Sequence, residues 1–102
     1  MFVKALKSKV FRDANIGNAN LSAANLSNAD LRNSGLRNTG LLDANLSNAD
    51  LREANLTNAH VSEQQLRSAA SLEGATMPDG QTLKSDDNPD GPTFEQWLGE
   101  HE

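Results

Sequence analysis

The chain has 102 residues, of which 36% are hydrophobic and 4% aromatic, and its formal net charge is −5. With a mean hydropathy of −0.62 this is one domain's length with too little apolar material for an ordinary globular core. Cysteine is absent, which excludes a disulfide framework, a thiolate nucleophile and a thiolate zinc site, and no run of about 18 apolar residues offers a membrane span.

The charge is unevenly placed. Residues 1–13 sum to +3, residues 14–68 to −1 and residues 69–102 to −7, so the acidity belongs to the tail and a basic footprint for nucleic acid is missing. The opening MFVKALKSKVF is basic but broken by charges, without the apolar run of a signal peptide. The expectation is a soluble cytoplasmic protein. Residues 1–13 are expected to form an N-terminal capping segment and the first rung, with Phe2, Val3 and Leu6 supplying the apolar cover.

From Ala14 the sequence repeats every five residues: Ala14-Asn15-Ile16, Ala19-Asn20-Leu21, Ala24-Asn25-Leu26, Ala29-Asp30-Leu31, then Ala44-Asn45-Leu46, Ala49-Asp50-Leu51 and Ala54-Asn55-Leu56. The large apolar position runs in register from Phe11 to Leu66. Neither a period of about 3.6 nor one of about 2.0 keeps such residues on one face for so long. One short extended side and one turn per five residues does: the small residue and the Leu point inward, and Asn, Asp, Ser, Arg and Glu take the outside and the corners. Four sides close a square, so a coil takes about 20 residues and coils stack roughly 4.8 Å apart.

The A-[N/D]-L-x-x units from Ala14 to about Ser68 resemble those of the pentapeptide-repeat family. That resemblance implies an all-β right-handed quadrilateral β-helix, like those of small single-domain members common in cyanobacteria. Counting from the KVFRD quintet gives about three to four coils and a rod of ~17 Å. Most family members have no assigned activity, and some mimic DNA and bind type II topoisomerases such as gyrase.

The pattern departs in places. Ser34-Gly35-Leu36 and Thr39-Gly40-Leu41 are expected to bulge or loosen two adjacent sides. Gln64 stands where an interior Ala belongs and would lack a partner there, so the coil is expected to be perturbed. The repeat resumes one residue late at Ala70-Ser71-Leu72, as though a residue were inserted between Ser68 and Ala70. Residues 14–68 thus read as the regular β-helix, 69–79 as last rungs after a one-residue bulge, and 80–102 as an acidic loop and capping helix. Pro78-Asp79-Gly80 reads as a turn, Thr93 with Gln96 as a capping box, and Phe94, Trp97 and Leu98 as the helix face that docks over the last rung.

Three surfaces are candidates for binding. Arg12, Arg32 and Arg52 stack on one side with Asp30 and Asp50 beside them, Arg37 joins around the corner, and Leu42 points outward. The first reading is an ion-pair array, the second an anion-binding or docking stripe. Asp86-Asp87-Asn88-Pro89-Asp90-Gly91 matches half of a calcium loop, but Trp97 stands at its twelfth position, so an acidic linker is the better reading and weak calcium binding a third function. His60 and His101 have no paired base, nucleophile or third ligand in register. The chain is expected to be a non-enzymatic structural or interaction module, without cofactor or metal, acting on an unknown protein partner as a monomer or a weak end-to-end dimer. The alternative is the DNA-mimicking topoisomerase binder, against which stand the acidity in the tail and a rod of ~17 Å, which covers about five base pairs.

Overall fold

The structure, a computed structural model, describes residues 9–101. The anticipated apolar cover of Phe2, Val3 and Leu6 lies outside those residues.

The chain bends every five residues. The carbonyl of each large apolar residue accepts from the amide three residues on, as in Phe11–Ala14 at 3.0 Å, Leu21–Ala24 at 3.0 Å and Leu51–Ala54 at 3.0 Å. The third residue of each turn is left-handed, with φ between 56° and 65° from Asp13 to Asn58. That is the type II pattern, and it suits Asn and Asp, whose short polar side chains tolerate this region. Ala23 and Glu53 are the exceptions in that series. The Asn or Asp between the small and large residues does a different job. Its Oδ1 accepts from the backbone amide two residues on, at 3.0 Å for Asn20 with Ser22 and 2.9 Å for Asn45 with Ser47, and so holds the corner from outside.

Four such turns bring the chain back over itself. Parallel bridges join residues 20 apart from Val10–Asp30 to Gly40–His60, then 21 apart at Asp50–Ser71 and Asn55–Thr76. In the bridges 20 apart the lower residue pairs through both of its backbone groups, as Asp50 does with Ala29 and Leu31 at 2.9 Å each. Inside, Leu21, Leu26, Leu31, Leu36, Leu41, Leu46, Leu51 and Leu56 are buried with Ala19, Ala24, Ala29, Ala44, Ala49, Ala54 and Ala59. Ser34 and Thr39 do not loosen their sides. Each hydroxyl donates to the carbonyl three residues back, Leu31 at 2.7 Å and Leu36 at 2.8 Å, and Gly35 and Gly40 bridge to both neighbouring coils. Hydroxyl and methyl therefore serve equally as small interior groups, because the hydroxyl finds an acceptor within its own turn.

Residues 14–68 do not carry the coil unbroken. A helix, α1 (Glu63–Ser68), replaces the fourth side of the third coil, started by a capping box between Ser62 and Gln65. Gln64 is consequently exposed on α1 rather than interior, and Leu66 keeps the inward position. The helix breaks the ladder, and Gln65 mends part of it. Its amide Nε2 donates to the carbonyls of Leu41 at 2.6 Å and Ala44 at 2.8 Å. The extra residue is Ala70, not residue 69. Ala69 bonds back to Leu66 as every inner small residue does, whereas the Ala70 amide and the Ser71 carbonyl together serve one residue, Asp50, of the coil above. Two residues opposite one is a β-bulge, and it leaves Ala70 exposed.

Beyond Met77 the chain reverses through Pro78-Asp79-Gly80 and runs back antiparallel, pairing Thr76 with Thr82 and placing Leu83 in the core. Then α2 (Phe94–Glu100), capped by Thr93 with Gln96, lays Trp97 and Leu98 into the core, with Phe94 packed partly against it. Among the described residues no buried side-chain nitrogen or oxygen lacks a partner.

The interior and the corners make separate demands, and substitutions should separate them. Leu31→Ala is expected to lower unfolding free energy by about 2–5 kcal/mol in chemical denaturation. At the exposed left-handed corner, Asn48→Val is expected to cost about 1–3 kcal/mol while Asn48→Gly changes little; equal effects of the two would remove the corner argument.

Candidate functional site

The corner between the first and second sides carries a ladder of alternating charge. Asp30 Oδ1 accepts the Arg32 backbone amide, as the Asn residues do at other corners, and its carboxylate also takes the Arg32 guanidinium in a two-point bond of 2.9 and 2.8 Å. Asp50 holds Arg52 the same way, at 2.9 and 2.6 Å. Each arginine then reaches the carboxylate of a neighbouring coil: Arg12 to Asp30 at 3.5 Å and Arg32 to Asp50 at 3.7 Å. The order is Arg12, Asp30, Arg32, Asp50, Arg52, one chain of charges down the rod. Hydrogen bonds from Arg32, against an opposing push from partial burial, hold Asp30 far below the ordinary carboxylate range, and those from Arg52 lower Asp50. Arg32 and Arg52 are raised in turn, first by those same bonds. At neutral pH Asp30, Arg32, Asp50 and Arg52 are all charged.

Arg37 stands exposed at the next corner, between the second and third sides. Leu42, 59% exposed, sits one corner further on, so the coil sets it diagonally opposite the ladder. One flat partner could touch the ladder and Arg37 but not Leu42. A second exposed apolar residue, Val10 at 67%, occupies the outer position of the first side above Asp30. It stands where Asn or Asp is usual, and sequence reasoning had marked Leu42 alone.

At the C-terminal end Asp79 ties the turn to α2. Its Oδ1 accepts from the Gln81 amide at 3.0 Å and the Trp97 indole at 3.2 Å, while Oδ2 faces His101 Nε2 at 2.8 Å. His101 Nδ1 lies 2.6 Å from the Trp97 carbonyl, and its ring stacks on Trp97 with centroids 4.2 Å apart. Both ring nitrogens face acceptors, so the doubly protonated imidazolium satisfies both. The bond to the Trp97 carbonyl raises His101, against partial burial, and Asp79 adds to it. Burial pushes Asp79 up, but the donors from Gln81, Trp97 and His101 outweigh it and bring it below its usual value. His101 is thus part of a structural clamp. Its partner is 22 residues away, with no local pattern to announce it.

The acidic loop is also built for structure. Asn88, the third residue of the half calcium pattern, turns its amide inward to donate to the carbonyls of Thr82 at 2.9 Å and Leu83 at 3.3 Å. Among the described residues no group of three His, Asp or Glu side chains converges to hold a metal ion, and no helix is long and apolar enough to cross a membrane.

A family model for pentapeptide repeats matches eight copies over residues 10–41 and 43–79, the same stretch that forms the stacked turns. The chain belongs to the pentapeptide repeat family. No curated protein matches it significantly. Among solved structures it is similar to a pentapeptide repeat protein, Rfr23, from the cyanobacterium Cyanothece 51142, with 32% identity over 74% of this chain and 51% of that one, at a TM-score of 0.39. It is also similar to HetL, a pentapeptide repeat protein involved in heterocyst differentiation regulation from the cyanobacterium Nostoc sp. strain PCC 7120, with 26% identity over 76% of this chain and 51% of that one, at a TM-score of 0.29. The pentapeptide repeat chain spans about half the length of these two structures.

The clamp of this pentapeptide repeat protein should respond to pH at both ends of the range. A group raised in the folded state contributes stability fully below its unfolded value, here 6.5, and loses it as pH rises through the folded one. For lowered Asp79 the contribution is present above 3.8 and lost as pH falls through the folded value. Melting temperature measured across pH is expected to drop on the alkaline side in the parent, and His101→Gln is expected to remove that limb while leaving the acidic one.

Proposed function

We propose that this chain is a non-enzymatic interaction module, whose coil is the right-handed quadrilateral β-helix of its family and whose second side docks onto an acidic surface of a partner protein. The observation that carries this reading is the Arg12–Asp30–Arg32–Asp50–Arg52 ladder. Two-point bonds hold Arg32 and Arg52 to Asp30 and Asp50 and so fix the frame of this face, while Arg12, with a single contact of 3.5 Å, and Arg37 are the charges it offers a partner. The second side lies between that ladder and Arg37, with Asn15, Gly35 and Asn55 stacked down its middle. Gly35 leaves the centre flat; a Cβ there would meet Asn15 Oδ1 at 3.3 Å. Arg37 makes no ion pair among the described residues and is free for a partner's carboxylate.

The DNA-mimic reading gains nothing from this geometry. A mimic needs free carboxylates along the rod, and Asp30 and Asp50 are spent on arginines. The docking reading is tested by capturing partners from the native host with tagged protein, beside an Arg12→Glu, Arg37→Glu double variant whose melting temperature is checked first. A specific partner that the folded variant no longer captures is the expected result. Capture that the variant leaves intact would reject this side as the docking face, and no specific capture by the parent would reject the module reading itself.

A further inference from the structure

The C-terminal end is covered unevenly. Under the second side the returning strand takes over the ladder: Leu83 donates to Ala75 at 2.8 Å, and Met77 to Gln81 at 2.7 Å. Under the first side nothing comparable happens among the described residues. There the Ala70 amide bonds upward to Ala49 and the Ser71 carbonyl accepts from Leu51 above. A trans peptide directs its N–H and C=O to opposite sides. The Ala69 carbonyl and the Leu72 N–H, the other halves of those two peptides, therefore point down the rod. Neither has a hydrogen-bond partner among the described residues. They are the groups left open to one more strand, and they flank two residues, Ala70 and Ser71, where a regular side has one.

Beside this edge lies a groove of about 520 Å³ with Leu72, Leu83, Pro89 and Phe94 as its apolar lining. It opens around Glu73, Ser85 and Asp86 into a second cleft of about 410 Å³, which adds Glu53 and Asp87 and touches Arg32 and Arg52. Those two arginines are already bonded to Asp30 and Asp50. Glu53, Glu73, Asp86 and Asp87 have no ion-pair partner among the described residues, and one cation, Lys84, stands on the groove's rim. The rim is therefore strongly negative beside an apolar floor and an open backbone edge.

We infer that this groove binds an extended segment of a partner protein by strand addition, with an apolar side chain in the groove and a neighbouring Lys or Arg in the acidic cleft. Main-chain bonds to Ala69 and Leu72 supply register, and the two side-chain sites supply selectivity. The inference rests on the interaction-module reading and adds a second site to it, of opposite charge preference to the second side.

Selection of random displayed peptides against the full chain tests it. The expected winners pair an apolar residue with nearby Lys or Arg; no enrichment, or enrichment of acidic peptides, overturns the inference. Binding of a selected synthetic peptide is then measured on the parent and on a Glu73→Lys, Asp86→Lys double variant of unchanged melting temperature. A loss of about tenfold or more is expected, and unchanged affinity overturns the site. Amide exchange at Leu72 should slow with peptide bound, and an unaffected Leu72 amide with peptide bound elsewhere overturns strand addition. Light scattering of the protein alone adds a further outcome: dimers abolished by the double variant would make a second copy the occupant and overturn the partner-segment inference. If peptide selection fails while host capture through Arg12 and Arg37 succeeds, the groove is lost and the module reading stands.

Discussion

Every feature of this molecule depends on one backbone constraint: a left-handed residue once in five. Without it the turn after each Leu would not close onto the next small residue, and the coils would not return in register to share hydrogen bonds. The interior is narrow for the same reason. A chain that turns after so short a side leaves room for one large and one small group, which is why Ser34 and Thr39 can stand in for Ala but, among the described residues, no aromatic is one of the most deeply buried side chains. Hydrophobic burial here is a result of the coil's closure as much as its cause, and a chain with only 36% hydrophobic residues can afford it.

The same geometry explains the distribution of charge. An Asp between the small and large residues is first a corner clip, bonding the amide two residues on; only where an Arg follows the Leu does its carboxylate gain a second use. Asp30 with Arg32 and Asp50 with Arg52 are therefore repeat positions that serve the corner and the ion pair at once. Stacking then adds the inter-coil contacts without further design, because residues 20 apart are neighbours. Two-point bonds within a coil outrank the longer contacts of 3.5 and 3.7 Å between coils, so the ladder fixes side-chain direction more than it holds the rod together.

Much of the rod was legible because its information is local and repeated. The leucine register from Phe11 to Leu66 names inward positions, softening only at the ends, where Phe11, Ile16 and Val61 are partly buried. Position α1 was not read, although Ser62 and Gln65 carry the same capping signature that was recognised at Thr93 and Gln96; Leu66 keeping the five-residue register hid it. The bulge was seen in sequence but misplaced, since two consecutive alanines are alike in composition and differ only in which peptide bonds upward. The Asp79–His101 clamp, the Gln65 repair of the ladder and the groove under Leu72 depend on residues far apart in sequence, and no period connects them.

Repeats of this kind carry an inherent problem at their ends, where the next coil is missing and the backbone offers itself for addition. This chain meets it with three different devices: α1 and the Gln65 amide in place of a fourth side, an antiparallel return of the chain beneath the second, and α2 clamped by Asp79 and His101 across the end. The first two consume backbone groups that would otherwise be open, and the third covers the apolar end with Trp97 and Leu98. The first side keeps its downward pair, as does the third at the Ala59 carbonyl and the Val61 amide; at the first the tail arranges apolar walls and carboxylates around the edge instead of covering it. The edge left open is the bulged one, and a border of carboxylates around it favours a strand that carries basic side chains over one that carries acidic ones.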